Sequence, residues 1–134
     1  MCHWIACPAL LLYVVLAAIV LSTMVQDEFG INGAPFASAD DVAYEMTLGS
    51  VQEWRVDADH PFHMHVNHFQ LVDAGCEGEC AFGFEAGNFY DVIMNGARQV
   101  LIRFKPVDYK GRVVLHCHIL AHEDQGMMAV AKIV

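Results

Sequence analysis

The stretch "LHCHILAHEDQGMM", residues 115–128, most constrains what this chain can become. It sets His116, Cys117, His118 and His122 within seven positions, and Met127 follows five residues after the last. The run leading into it, "RVVLHC", is β-branched and apolar and reads as a buried strand. Successive side chains on a strand point to opposite faces. Cys117 therefore faces one way, and His116 and His118 the other. A single Cys-His pair makes one metal site. His-Cys-His on a strand makes two, back to back and joined through the cysteine main chain. That arrangement suits passing an electron from one metal to another.

A second cluster lies in "DHPFHMHVNHF", residues 59–69. His63 and His65 share parity, so on an extended segment they point the same way. His60 precedes Pro61 and a turn, and can face elsewhere. Seven of the eight histidines fall in these two clusters, which together read H-x2-H-x-H and then H-C-H-x3-H-x4-M. A lone buried histidine is commonly a satisfied core residue, but a twice-repeated H-x-H is not explained that way. Zinc is the chemical rival, since Cys and His hold it readily. Structural zinc rarely takes an axial thioether, however. Two imidazoles, one thiolate and one methionine form the blue-copper set.

The rest of the chain reads as short strands between turns. Residues 42–49, 51–56, 66–73, 89–94, 98–105, 112–117 and the C-terminal "GMMAVAKIV" are strand-like. Asn32-Gly33, Pro35, Gly49-Ser50, Asn95-Gly96 and residues 106–111 supply turn signals. "CHILAHEDQG" has room for one helical turn. No segment sustains a helical period. Short strands at this spacing predict an all-β sandwich or Greek-key barrel. One domain is expected over residues 27–134, behind an apolar N-terminal segment at 1–26.

The hydrophobic fraction, 56%, is high for a soluble domain, and much of the excess sits in the uncharged run at residues 9–25. That run reads as a signal or membrane anchor, or as a strand behind a truncated start. The net charge of −9 excludes nucleic acid, which needs clustered Lys and Arg. Cys76 and Cys80 sit in a Gly-rich acidic loop and read as solvent-side thiols or a small loop disulfide rather than a metal site.

These residues carry a resemblance. "HPFHMH" and "HCHILAHEDQGMM", with "FGINGAPF" and "VLIRFKPVDYKGRVVLHCHI", resemble the C-terminal cupredoxin domain of the multicopper oxidases, the laccase, bilirubin oxidase and spore-coat oxidase superfamily. The resemblance covers about residues 19–134 and implies a cupredoxin-like (plastocyanin-like) fold. It implies copper, with His60, Cys117, His122 and Met127 as type 1 ligands. It implies His63 as a type 2 ligand, and His65, His116 and His118 as type 3 ligands. Glu123 resembles an acidic residue that delivers protons to dioxygen in some members. Met128 is read as core, and His68 has no ligand role in the pattern.

The family's trinuclear copper site draws on eight histidines, and this chain supplies four of them. The others are expected from a missing N-terminal cupredoxin domain or from another subunit, so the chain alone is expected to lack full oxidase activity. In a complete enzyme the resemblance implies phenols, aromatic amines or metal ions as electron donors, dioxygen as acceptor, and an extracytoplasmic location. The alternatives are a stand-alone blue-copper electron carrier and an anchored copper-binding protein.

Overall fold

Alternation along each strand decides which side chains face inward. The computed structural model describes residues 19–24, 26–27, 30–76, 81–94, 96 and 99–134. The described strands begin with β1 (Ile19–Met24), β2 (Gln26–Asp27), β3 (Gly30–Ile31), β4 (Val42–Met46) and β5 (Val51–Asp57). They continue with β6 (Phe62–Met64), β7 (Phe69–Asp73), β8 (Phe89–Tyr90), β9 (Val92–Ile93) and β10 (Gln99–Phe104). The chain closes with β11 (Gly111–Cys117), the short helix α1 (Leu120–Asp124) and β12 (Met128–Ile133). On β5, Gln52, Trp54 and Val56 are buried while the residues between them are not; on β10 the buried set is Val100, Ile102 and Phe104.

Two five-stranded sheets result, in the orders β1-β5-β10-β7-β8 and β4-β12-β11-β6-β9, with a small β2-β3 ribbon beside them. Neither large sheet closes on itself, so the all-β expectation resolves as an open sandwich. Strands far apart in sequence pair, as β5 does with β10 and β6 with β11. These are the crossovers a Greek key requires. Trp54, Phe69, Leu71 and Ile102 of the first sheet and Phe62, Met64, Leu115 and Ile133 of the second are at most 1% exposed. Burial of each such side chain contributes roughly 1.5–3 kcal/mol. Trp54 packs edge-on to Phe104, with ring centroids 5.1 Å apart.

The part of the apolar N-terminal run that is described, Ile19–Met24, is a strand that pairs in parallel with β5. Residues 1–18 lie outside the described residues, as do Cys2, Cys7, Cys80 and Asn95. Among the described residues no helix is long and apolar enough to cross a membrane. Asn32 and Gly33 turn with φ of 56° and 76°, the doubly positive pair that suits Asn-Gly, and an Ile31–Ala34 bridge closes the turn.

Two strand expectations changed. Residues 89–94 do not form one strand: β8 pairs with β7 in the first sheet and β9 with β6 in the second. The chain changes sheets at Asp91, whose carbonyl accepts hydrogen bonds from the Met64 N–H and from His63. The strand expected from residue 66 starts only at Phe69, because Val66 turns the chain at φ 70°.

Candidate metal centre

The β6–β11 register builds the site. Phe62 stands opposite Cys117, His63 opposite His116, and Met64 opposite Leu115. Directly opposed residues share a face. Phe62, Met64, Leu115 and Cys117 therefore point into the core, and His63 and His116 point away from it. Cys117 is 0% exposed and is a free thiol.

On the core side, His60 and His122 converge on that thiol. The Cys117 Sγ lies 3.7 Å from His60 Nδ1 and 3.9 Å from His122 Nδ1, and the two nitrogens are 2.9 Å apart. The three donors form one group. Imidazole and thiolate bonds to a metal run to about 2.0–2.3 Å, and a triangle of this size accommodates one ion. Helix α1 carries His122 back over the strand end. Met127 is buried, and its backbone is fixed to the same residues: its N–H donates to the His122 carbonyl and its carbonyl accepts from the Cys117 N–H, both at 3.0 Å.

Burial pushes the Cys117 thiol pKa up; the Ile119 N–H, 3.4 Å from Sγ, works against this, and the Glu123 charge adds to it. A cation at the triangle would reverse that balance by favouring the thiolate.

Across the strand, His63, His65 and His116 form a second donor group. His65 Nε2 and His116 Nε2 are 3.1 Å apart. His118 stacks on His116 at 5.7 Å and stands edge-on to His63 at 5.2 Å between ring centroids. The carbonyls around these rings set their tautomers, because a carbonyl can only accept. His63 Nδ1–H donates to the Asp91 carbonyl at 2.8 Å, and His116 Nδ1–H to the Cys117 carbonyl at 2.9 Å. Each ring keeps the Nε2 lone pair free for a metal. Partial desolvation within the histidine cluster, and then the neighbouring His63 and His116, lower the pKa of the exposed His65 and favour its neutral, ligating form.

Glu123 reaches from α1 to His116, with Oε2 3.3 Å from Nδ1. The strand therefore brings together His60, Cys117 and His122 on one side, and His63, His65, His116 and His118 on the other. Sequence reasoning did not find the Asp91 carbonyl, which orients His63, or the Ile119 N–H, which meets the thiol. Neither has a side-chain signal, since both act through the main chain. Cys76, read as a thiol or a disulfide partner, is disulfide-bonded.

The chain as a whole is similar to known proteins. A family model described as multicopper oxidase covers residues 14–134. The chain is 31% identical over 108 residues to a bilirubin oxidase of Albifimbria verrucaria, covering 74% of this chain and 19% of that protein. It is 32% identical over 111 residues to a laccase of Bacillus stratosphericus, covering 66% of this chain and 21% of that protein. A laccase structure from Pediococcus acidilactici superposes with a TM-score of 0.73 at 30% identity, over 87% of this chain and 27% of the other. A multicopper oxidase structure from Campylobacter jejuni, described as a metallo-oxidase, gives 0.68 at 25% identity, over 86% and 30%. The chain thus spans about a fifth of the length of these curated relatives. With a family model covering residues 14–134, and relatives 31–32% identical over about two thirds or more of the chain, the chain belongs to the multicopper oxidase family.

Proposed function

We propose that this chain is the copper-binding, electron-transferring part of a multicopper oxidase. His60, Cys117, His122 and Met127 hold a type 1 copper. His63 is a type 2 ligand, and His65, His116 and His118 are type 3 ligands of a half-supplied trinuclear site. Copper held in these two places supplies one-electron transfer at the first and dioxygen reduction at the second. The observation that carries this reading is the alternation at His116-Cys117-His118, with the thiol 3.7 and 3.9 Å from two imidazoles on one face and a second histidine group on the other.

Each residue has a stated task. Cys117 joins the two groups through an unbroken covalent path along its own main chain. Core packing excludes water from the thiol, which is 0% exposed. Glu123 stands 3.3 Å from His116 Nδ1 and is the residue that relays protons toward the histidine group. Residues 27–134 form the copper domain, with β1 laid along one sheet edge. His65 and His118 are exposed, which supports a partner cupredoxin domain or subunit bringing the remaining histidines. In that assembly a phenol, aromatic amine or metal ion donates electrons and dioxygen accepts them. The disulfide at Cys76 supports an extracytoplasmic, oxidising compartment.

Copper loading of the purified chain tests the reading. It should turn blue, and Cys117→Ser should remove the colour, because thiolate-to-copper charge transfer is lost. A Cys117→Ser protein that stays equally blue overturns the type 1 assignment.

A further inference from the structure

An extended strand cannot bring His65 and His68 to one side, because residues three apart point to opposite faces. The chain departs from extended geometry at Val66. Its φ of 70° lies in the left-handed region that β-branched side chains rarely adopt. The Asn67 N–H closes the turn on the His65 carbonyl at 2.8 Å. A three-residue turn with a positive central φ is the rare, strained kind. Core packing does not account for it, since Val66 is 54% exposed.

What the turn achieves is a shared cavity. His63, His65, His68 and Asp91 line one open cavity of about 270 Å³. Asn67 borders it too, and its Nδ2 is buried with no hydrogen-bond partner. Both His68 and Asp91 are exposed. An imidazole residue and an acidic residue, both exposed, therefore line one cavity with two members of the histidine group.

We propose that this cavity is a capture site for Cu(II), where His68 and Asp91 take the ion from solution and hand it to His63 and His65. The inference rests on the copper reading above. Imidazole with carboxylate oxygen suits Cu(II), whereas Cu(I) prefers thiolate and thioether. Transfer is a ligand exchange: the bonds to His68 and Asp91 break as bonds to His63 and His65 form, the oxidation state stays +2, and displaced water returns to solvent.

The test is stopped-flow loading of the copper-free full chain with copper(II) chloride. Blue absorbance follows the Cys117 site, and rapid-freeze electron paramagnetic resonance follows non-blue copper. In His68→Ala the non-blue signal should rise about tenfold more slowly, the lower end of what losing a residue that supports a metal site costs. Asp91→Asn should slow it in the same direction, and the blue band should form at the wild-type rate in both. Non-blue copper rising in His68→Ala at the wild-type rate, with the blue band intact, overturns the capture site alone. A wild-type chain that takes up no copper overturns the copper reading and the capture site together.

Discussion

His63 stands directly across from His116 on antiparallel strands, with their ring centroids 5.1 Å apart and their planes at 85°. One residue further along β11, Cys117 stands across from Phe62 and points into the core. A single-residue step thus separates two donor groups that share one strand.

That step makes the groups separable by mutation. His60→Ala should remove the blue band and leave non-blue copper bound, whereas His63→Ala should do the reverse. Quantitative electron paramagnetic resonance on the two loaded variants checks this. Loss of both signals in both variants would mean a single shared site.

Met127→Leu should retain copper and raise its reduction potential. A weak axial thioether donates some charge to Cu(II), and leucine donates none. Met127 is 0% exposed, and leucine is close to it in volume, so the fold should tolerate the change at a cost below about 1.5 kcal/mol. Redox titration against the wild type reads the shift; an unchanged or lowered potential counts against an axial role.

Gly126 closes the loop between His122 and Met127. Its φ is +104°, and an added Cβ would lie 3.1 Å from both Pro35 Cβ and the Phe36 nitrogen. Its carbonyl also accepts the Phe36 N–H at 2.8 Å. Gly126→Ala should destabilise the protein by about 1–3 kcal/mol through backbone strain and this close approach. Urea unfolding measures the loss, and the blue band should weaken alongside it.

Much of the site was legible because metal ligands must be specific residue types at specific parity. The parity of His116, Cys117 and His118 marks two faces, and the structure gathers His60 and His122 around Cys117 and gathers His63 and His65 around His116. The strands read at 51–56 and 98–105 were equally plain, and the structure has them at Val51–Asp57 and Gln99–Phe104, each burying alternate residues. Asp91 was not. Its role comes from a carbonyl at a switch between sheets, which no side-chain pattern marks. Val66 misled for a related reason: a β-branched residue signals strand, and here it adopts a φ of 70°. The open sandwich was foreseen only as one of two forms, because strand spacing alone does not decide whether a sheet closes.

Burial raises the Tyr44 pKa above 10.0, while a hydrogen bond from Asn32 works the other way. The unfolded chain therefore ionises this tyrosine first. Its contribution to stability is fully present below pH 10 and is lost as pH rises through the folded value. Urea midpoints followed upward through that range should fall, and Tyr44→Phe should flatten the fall. An equal decline in both proteins would assign the alkaline loss to other groups.

Copper-edge X-ray absorption on the chain loaded with one equivalent of copper tests the central claim most directly, because it counts the donor atoms around the metal. The expected result is one short sulfur contact with two imidazole nitrogens, and loss of that sulfur contact in Cys117→Ser. A wild-type spectrum with only nitrogen and oxygen neighbours would contradict a thiolate-centred site at Cys117, His60 and His122.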